Sequence, residues 1–415
     1  MRDKTWPLSL SQRTLVFHPH SRFWTSGLWF TINAIVDITG PFDHRMLLAA
    51  VDELIRRHDL LRTTIIDGVQ VVAPRVAGVV EVVDEVEIHV PVPSTNPCPL
   101  VVRVTRLDAD RHALSLHLHH FMGDPATMWA ILTELGALYT AEVGRGPVPP
   151  PPSAQFGEYA QYEVDLERAG RAEAERWWLN SVGGAKFGSV LEHRVGDPFA
   201  CREQLLDSEA TAAVERSARR HRSTVISELL AALACAMRPH VSEGDLLYRT
   251  IFSRRDRPEW QRMLGPCLVQ SYVPVPDPPE RLTAEYSRAV RDVVLTCHRH
   301  SRFDLTTVDE MAPGAASTFF VYIPLARPSQ VVFGPATGVV VESAGPKDLA
   351  PATGLGFRAR PQDGRLFGHV SGPGTGWTLP LVREVWRSLP GLVDERRGSG
   401  HADGAEPGQR QRVVR

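Results

Sequence analysis

Two adjacent histidines, His119 and His120, close an apolar run, and Asp124 follows four residues after the second. Imidazole has an ordinary pKa of about 6.5, which lets it accept or relay a proton near neutral pH. Leu114, Leu116, Leu118 and His120 alternate with Ala113, Ser115, His117 and His119, the period of a β-strand. With the leucines on the core face, a pleat that persists to the strand end puts His120 on that face and turns His119 away. The second histidine is therefore the candidate for general-base work in a cleft. Two uses of Asp124 stay open. It can cap a helix starting at Pro125, where the first helical position needs no N–H. It can also pair with an arginine from the stretch Arg249 to Arg257, because carboxylate and guanidinium hold each other in a fixed geometry. His117 and His119 share one strand face and could hold a metal. No third ligand is identifiable, and an exposed sheet face accounts for the pair equally well.

The elements that position these groups follow from the patterning. Residues 7–17 read as a short opening helix, followed by an aromatic extended segment with Trp24, Trp29 and Phe30 and a strand near 32–38. Asp43 is the N-cap of a helix with the apolar face Leu47, Ala50, Val51, Leu54 and Ile55. β-Branched runs at 69–72, 79–83 and 86–92 precede strands at 100–106 and 112–119. After Pro125 a helix carries the stripe Met128, Ile131, Leu132, Leu135 and Leu138. Residues 144–153 hold five prolines and glycines besides, the best linker and crossing point in the chain. Beyond it come a helix with Trp177 and Trp178, helices at 208–220, 224–237 and 284–300, strands at 246–252, 319–323 and 366–370, and a closing helix at 379–389. From Asp394 the chain is polar and aperiodic and reads as a disordered tail.

A chain of 415 residues suits two lobes rather than one core. The expected division is 1–153, 154–393 and the tail 394–415. The formal charge of −2 gives no electrostatic case for nucleic acid or an anionic membrane, and no apolar run of membrane-spanning length occurs. Five widely spaced cysteines form no Cys-x-x-Cys pair, so neither a disulfide framework nor a zinc site is expected. With no signal-peptide core at the start, the expected setting is the cytoplasm.

Several motifs occur in a telling order. Leu8-Ser9-Leu10-Ser11-Gln12 is followed by Arg57-His58-Asp59-Leu60-Leu61-Arg62-Thr63, then by His119 to Asp124. Gln155-Phe156-Gly157-Glu158-Tyr159-Ala160 precedes Trp177-Trp178-Leu179. Arg254-Arg255-Asp256-Arg257-Pro258-Glu259 leads to Gly265, and Lys347-Asp348-Leu349 to the segment 364–369. On these residues the chain resembles the condensation-domain superfamily of nonribosomal peptide synthesis, over roughly 7–393. The resemblance implies an α/β (α+β) fold of two chloramphenicol-acetyltransferase-like lobes in a V, with a central tunnel and His120 at its middle. It implies that Asp124 is structural and pairs with Arg255, and that His119 belongs to the motif without being the base. The implied reaction joins an acyl or aminoacyl thioester to an amine or alcohol. A phosphopantetheine arm delivers the thioester on a peptidyl or acyl carrier protein, met in trans by a free-standing enzyme; no cofactor is permanently bound. Three positions depart from the family pattern: Pro125 and Arg254 each stand where it has Gly, and Val269 or Gln270 where it has Asn. These departures keep one alternative in view, a non-catalytic module that binds a carrier and recruits another enzyme; a second is a CoA-dependent acyltransferase of the same fold, whose CoA phosphate the Arg254–Arg257 cluster could meet.

Overall fold

The computed structural model describes residues 4–17, 31–88, 90–191, 195–311, 318–324, 328–341 and 354–399, with side chains to residue 392. The aromatic segment around Trp24, Trp29 and Phe30, the Lys347-Asp348-Leu349 motif and residues 400–415 lie outside these. Two six-stranded sheets and two apolar cores organise the rest.

The first sheet runs Gln330–Phe333, Ala336–Val341, Thr31–Thr39, Arg111–His119, Leu100–Arg106, Val80–Val83. Its pairings are antiparallel except the last, where Val80–Val83 lies parallel to Leu100–Arg106. Helices His44–Arg57 and Pro125–Glu142 pack on each other beside it. The first buries the five residues expected from its 3.6-residue period, and Asp43 caps it by accepting from the Arg45 N–H at 2.7 Å. The second likewise buries Met128, Ile131, Leu132, Leu135 and Leu138.

The second sheet runs Leu268–Val275, Leu246–Ser253, Thr318–Tyr322, Gly356–Gln362, Arg365–Gly372, Phe199–Leu206. Only Thr318–Tyr322 is parallel to its neighbours. Helices Ser208–Arg220, Val225–Met237, Ala284–His300 and Leu379–Ser399 contribute to its core. Val225–Met237 is almost wholly buried, Ser227 and Glu228 included, as a mostly apolar helix is expected to be.

Sequence patterning and structure part company in four places. The opening segment is a strand, Lys4–Pro7, before the helix Leu10–Phe17; the strand completes a small sheet with Val69–Val72 and Thr63–Ile66. The β-branched run 86–92 is not a strand. Pro91 and Pro93 remove the N–H groups a ladder needs, although Val90 and Val92 are buried. The closing helix continues through Pro390 to Ser399, past the expected start of a disordered tail. Finally, the hairpin of Gln330–Phe333 and Ala336–Val341 lies within the stretch expected to form the second lobe, yet it is hydrogen-bonded to Thr31–Thr39 in the first sheet.

The proline-rich stretch 144–153 does not itself carry the chain across. The 27-residue helix Phe156–Val182 does: Phe156 and Tyr159 belong to the first core, Trp178 and Val182 to the second. At 1.5 Å per residue it spans about 40 Å. No helix among the described residues is long and apolar enough to cross a membrane.

Candidate active site

The strand Arg111–His119 ends at His119, one residue earlier than the pleat argument requires. His120 opens a 3-10 turn, His120–Met122, so strand alternation no longer fixes its direction. The turn stops at Gly123, whose backbone is extended. A Cβ there would come within 2.3 Å of Leu118 Cδ2, so the close return of the chain needs glycine. That return brings the Gly123 carbonyl to 3.0 Å from His120 Nδ1. A carbonyl only accepts, so Nδ1 carries the hydrogen and Nε2 keeps the lone pair. The half-buried ring has its pKa pulled below the ordinary histidine value chiefly by desolvation. Asp124 and the backbone pull the other way, and Arg358 adds a further small depression. His120 is thus a neutral imidazole with a basic nitrogen to offer.

His119 faces the other side of the sheet, where it is buried rather than exposed. Its Nδ1 accepts from the Phe121 N–H at 3.2 Å, capping the turn that displays His120. His117 is also fully buried and bonds Asn33 Oδ1 through Nδ1 at 2.8 Å. The exposed sheet face that could equally have accounted for this pair is absent, because every residue from His112 to His119 is buried and both faces of the strand are covered. Among the described residues no group of three His, Cys, Asp or Glu is placed to hold a metal ion.

Asp124 does both of the things its sequence context left open. As N-cap, its Oδ1 accepts from the Thr127 N–H at 2.7 Å, with Pro125 at the first helical position. Its extended backbone is what a residue before proline prefers. Across the molecule Arg255 Nη2 lies 3.2 Å from Oδ1 and 3.4 Å from Oδ2, and the Cys267 N–H donates to Oδ2 at 3.1 Å. Arg255 also donates to the carbonyls of Trp260, Met263 and Gly265. The pair is almost wholly buried, with side-chain exposures of 9% and 1%. Burial works against the Arg255 charge, and Asp124 overcomes it, holding that pKa above its usual value.

Other residues complete this joint without having been given a role in it by sequence. Thr127 Oγ1 sits 2.8 Å from Asp124 Oδ1 and 2.9 Å from the Gly265 carbonyl. Gly265 has φ +145°, and Phe156 fills the space a Cβ would take. Gln12 donates to the Phe121 carbonyl at 3.2 Å and so ties the opening helix to the His120 turn. Position in a motif was the only signal for Gln12; Thr127 had none beyond its place three residues after a cap.

The Arg57–Thr63 motif is a structural knot beside this site. Glu134 accepts from Arg57 at 2.7 Å and meets His58 Nε2 at 2.8 Å. Burial would raise the Glu134 pKa, but His58 and Arg57 hold it below the ordinary value. Asp59 joins Lys4 at 2.8 Å and Arg62 at 2.5 Å, while Thr63 donates to the Asp59 carbonyl. Arg254 is buried, not part of a solvated loop. It contacts the ring and carbonyl of His298 and the hydroxyl of Ser301. Desolvation, then the charges of Arg254 and Arg302, press the His298 pKa down to about 4.

Comparison with known proteins gives the chain's family and fold. The family model described as "Condensation domain" matches residues 88–317, more than half of the chain. Bacitracin synthase 3 of Bacillus licheniformis is 23% identical over 312 residues, covering 69% of this chain and 5% of the synthase. The chain thus spans a small fraction of that relative's length. The first condensation domain of the CDA synthetase superposes with a TM-score of 0.70 at 17% identity, covering 94% of this chain and 96% of that one. The X-domain from teicoplanin biosynthesis, solved in complex with OxyB, superposes at 0.74 with 20% identity, covering 96% and 95%.

Proposed function

The chain belongs to the condensation-domain family, and from that premise we propose that it joins an acyl or aminoacyl thioester, delivered in trans on a carrier protein's phosphopantetheine arm, to an amine or alcohol. His120 is the residue we assign to the chemistry. The observation that carries this is the His120 Nδ1–Gly123 carbonyl bond, which leaves Nε2 unprotonated and basic. The two arms approach this nitrogen from opposite sides of a cleft between the cores. There the acceptor's N–H or O–H gives its proton to Nε2 as the heteroatom attacks the thioester carbonyl. The tetrahedral adduct collapses, and the proton returns to the departing thiolate. Holding both reactants in line contributes much of the rate.

Pro125 does not stand against catalysis. It occupies a helix position that needs no N–H, and Asp124, Thr127 and Arg255 keep their joint around it.

The test mixes the protein with a separately prepared, loaded carrier and a panel of acceptors. His120→Ala is expected to lose on the order of 10²–10⁴-fold in rate with a hydroxyl acceptor, where general-base help is needed. The acid limb of the wild-type profile should fall below the ordinary histidine pKa, because burial lowers it. Equal product from wild type and His120→Ala would remove the assignment.

A second reading has one observation in its favour, the likeness to an X-domain solved with a bound OxyB. On that reading the protein holds a loaded carrier and recruits another enzyme. Binding of a loaded carrier without turnover of any acceptor would select it.

A further inference from the structure

The second sheet buries one face in its own core, through Phe357, Ala359, Leu366 and Val370. The alternate residues of the same strands look the other way, and they are basic. Arg358 pairs across the ladder with His369, and His369 with Arg202. Arg360 follows two residues after Arg358 on the same side of its strand. Arg249 sits opposite Phe319, which itself pairs with Gly356 beside Arg358. Two phenylalanines are interleaved with the cations. The Arg249 and Arg358 guanidiniums lie 5.6 Å and 5.9 Å from the Phe319 ring, and that of Arg202 lies 5.0 Å from Phe367.

Arg249 and Arg358 carry like charges on one sheet face, and like charges held close repel unless a counter-charge joins them. Among the described residues neither Arg249 nor Arg358 has an ion-pair partner. Arg249 Nε and His369 Nε2 are buried without a hydrogen-bond partner. Aromatic contact satisfies the flat faces of the guanidiniums and leaves their N–H donors unused. Arg358 keeps contact with solvent, while its neighbours desolvate it enough to press its pKa below the usual value. The face is therefore built for an anion.

We propose that this face binds the carboxylate of a substrate, so that the protein takes an acidic acyl donor or an acidic acceptor, with Arg358 as the principal anchor beside His120. The proposal rests on the assignment above of His120 as the place where the substrate reacts. It names a small acid rather than the phosphate of the carrier arm for a reason of reach. Arg358 is close enough for its charge to act on the His120 imidazole. The arm, by contrast, sets its phosphate a full pantetheine length away from the thioester carbon.

Calorimetric titration separates the sources. The donor probes are amide analogues of pantetheine thioesters: a succinyl analogue, its methyl ester, and a butyryl analogue bearing the 4′-phosphate. The acceptor probes are lactate and lactamide. We expect the succinyl analogue or lactate to bind at least about tenfold more tightly than its neutral counterpart. Arg358→Gln should erase that difference, and Arg358→Lys should retain part of it. Equal binding of acid and neutral probe in both pairs, no binding included, overturns the proposal. So does a preference that survives Arg358→Gln, or an effect confined to the phosphate-bearing probe. The wild-type comparison is decisive even where a variant fails to fold. Discrimination without turnover on loaded carriers would defeat the condensation reading and leave this binding face standing.

Discussion

Removing either charge of the Asp124–Arg255 pair strands the other in a place water does not reach. Such uncompensated burial costs about 3–5 kcal/mol. Arg255→Ala should therefore lower the unfolding free energy by an amount in that range, measured by chemical unfolding. Arg255→Lys should rescue little, since one ammonium cannot serve a carboxylate and the three carbonyls of Trp260, Met263 and Gly265 together. At this scale the sequence was partly legible. An Asp before Pro that ends a histidine turn needs partners, and both uses read for it are present. The side of the sheet on which His120 sits was not legible. Strand alternation predicts direction only while the strand lasts, and where it stops depends on Gly123 approaching Leu118, a contact that periodicity does not encode.

Helix entry shows what Pro125 contributes in place of glycine. Proline at the first helical turn forfeits no hydrogen bond and restricts the unfolded chain. Pro125→Gly should then lower stability by about 0.4–1 kcal/mol, read from the urea midpoint at unchanged slope. Helices with a capped start were legible in where they begin and in which residues they bury, as in His44–Arg57 and Pro125–Glu142. Strands were harder. Phe199–Leu206, Leu268–Val275 and Gly356–Gln362 escaped notice. Their outward positions hold exposed Arg202, Arg358 and Arg360 and half-buried Gln270, which dilute the hydrophobic signal of a half-buried strand. The residues that hid those strands include the ones that form the basic face.

The molecule as a whole is tied together more tightly than its chain order implies. Phe333 is fully buried in the first core, although its hairpin comes late in the chain. Phe333→Ala should cost about 3–5 kcal/mol. Amide exchange should locate the damage: protection should fall in Thr31–Thr39 and Arg111–His119 and persist in Val225–Met237. Loss confined to the second core would contradict this. Two cores could be expected from length alone, but the return of residues 330–341 to the first sheet could not, because the partner strand lies some three hundred residues upstream.

That late hairpin also sets a timetable. At roughly 5–20 residues per second, ribosomal synthesis leaves an interval of roughly ten to forty seconds between the emergence of the histidine strand and that of the hairpin. During it the rim of the nascent first sheet along Thr31–Thr39 is without its eventual neighbour. For a good part of the protein's birth that rim is an open template on which another strand can pair.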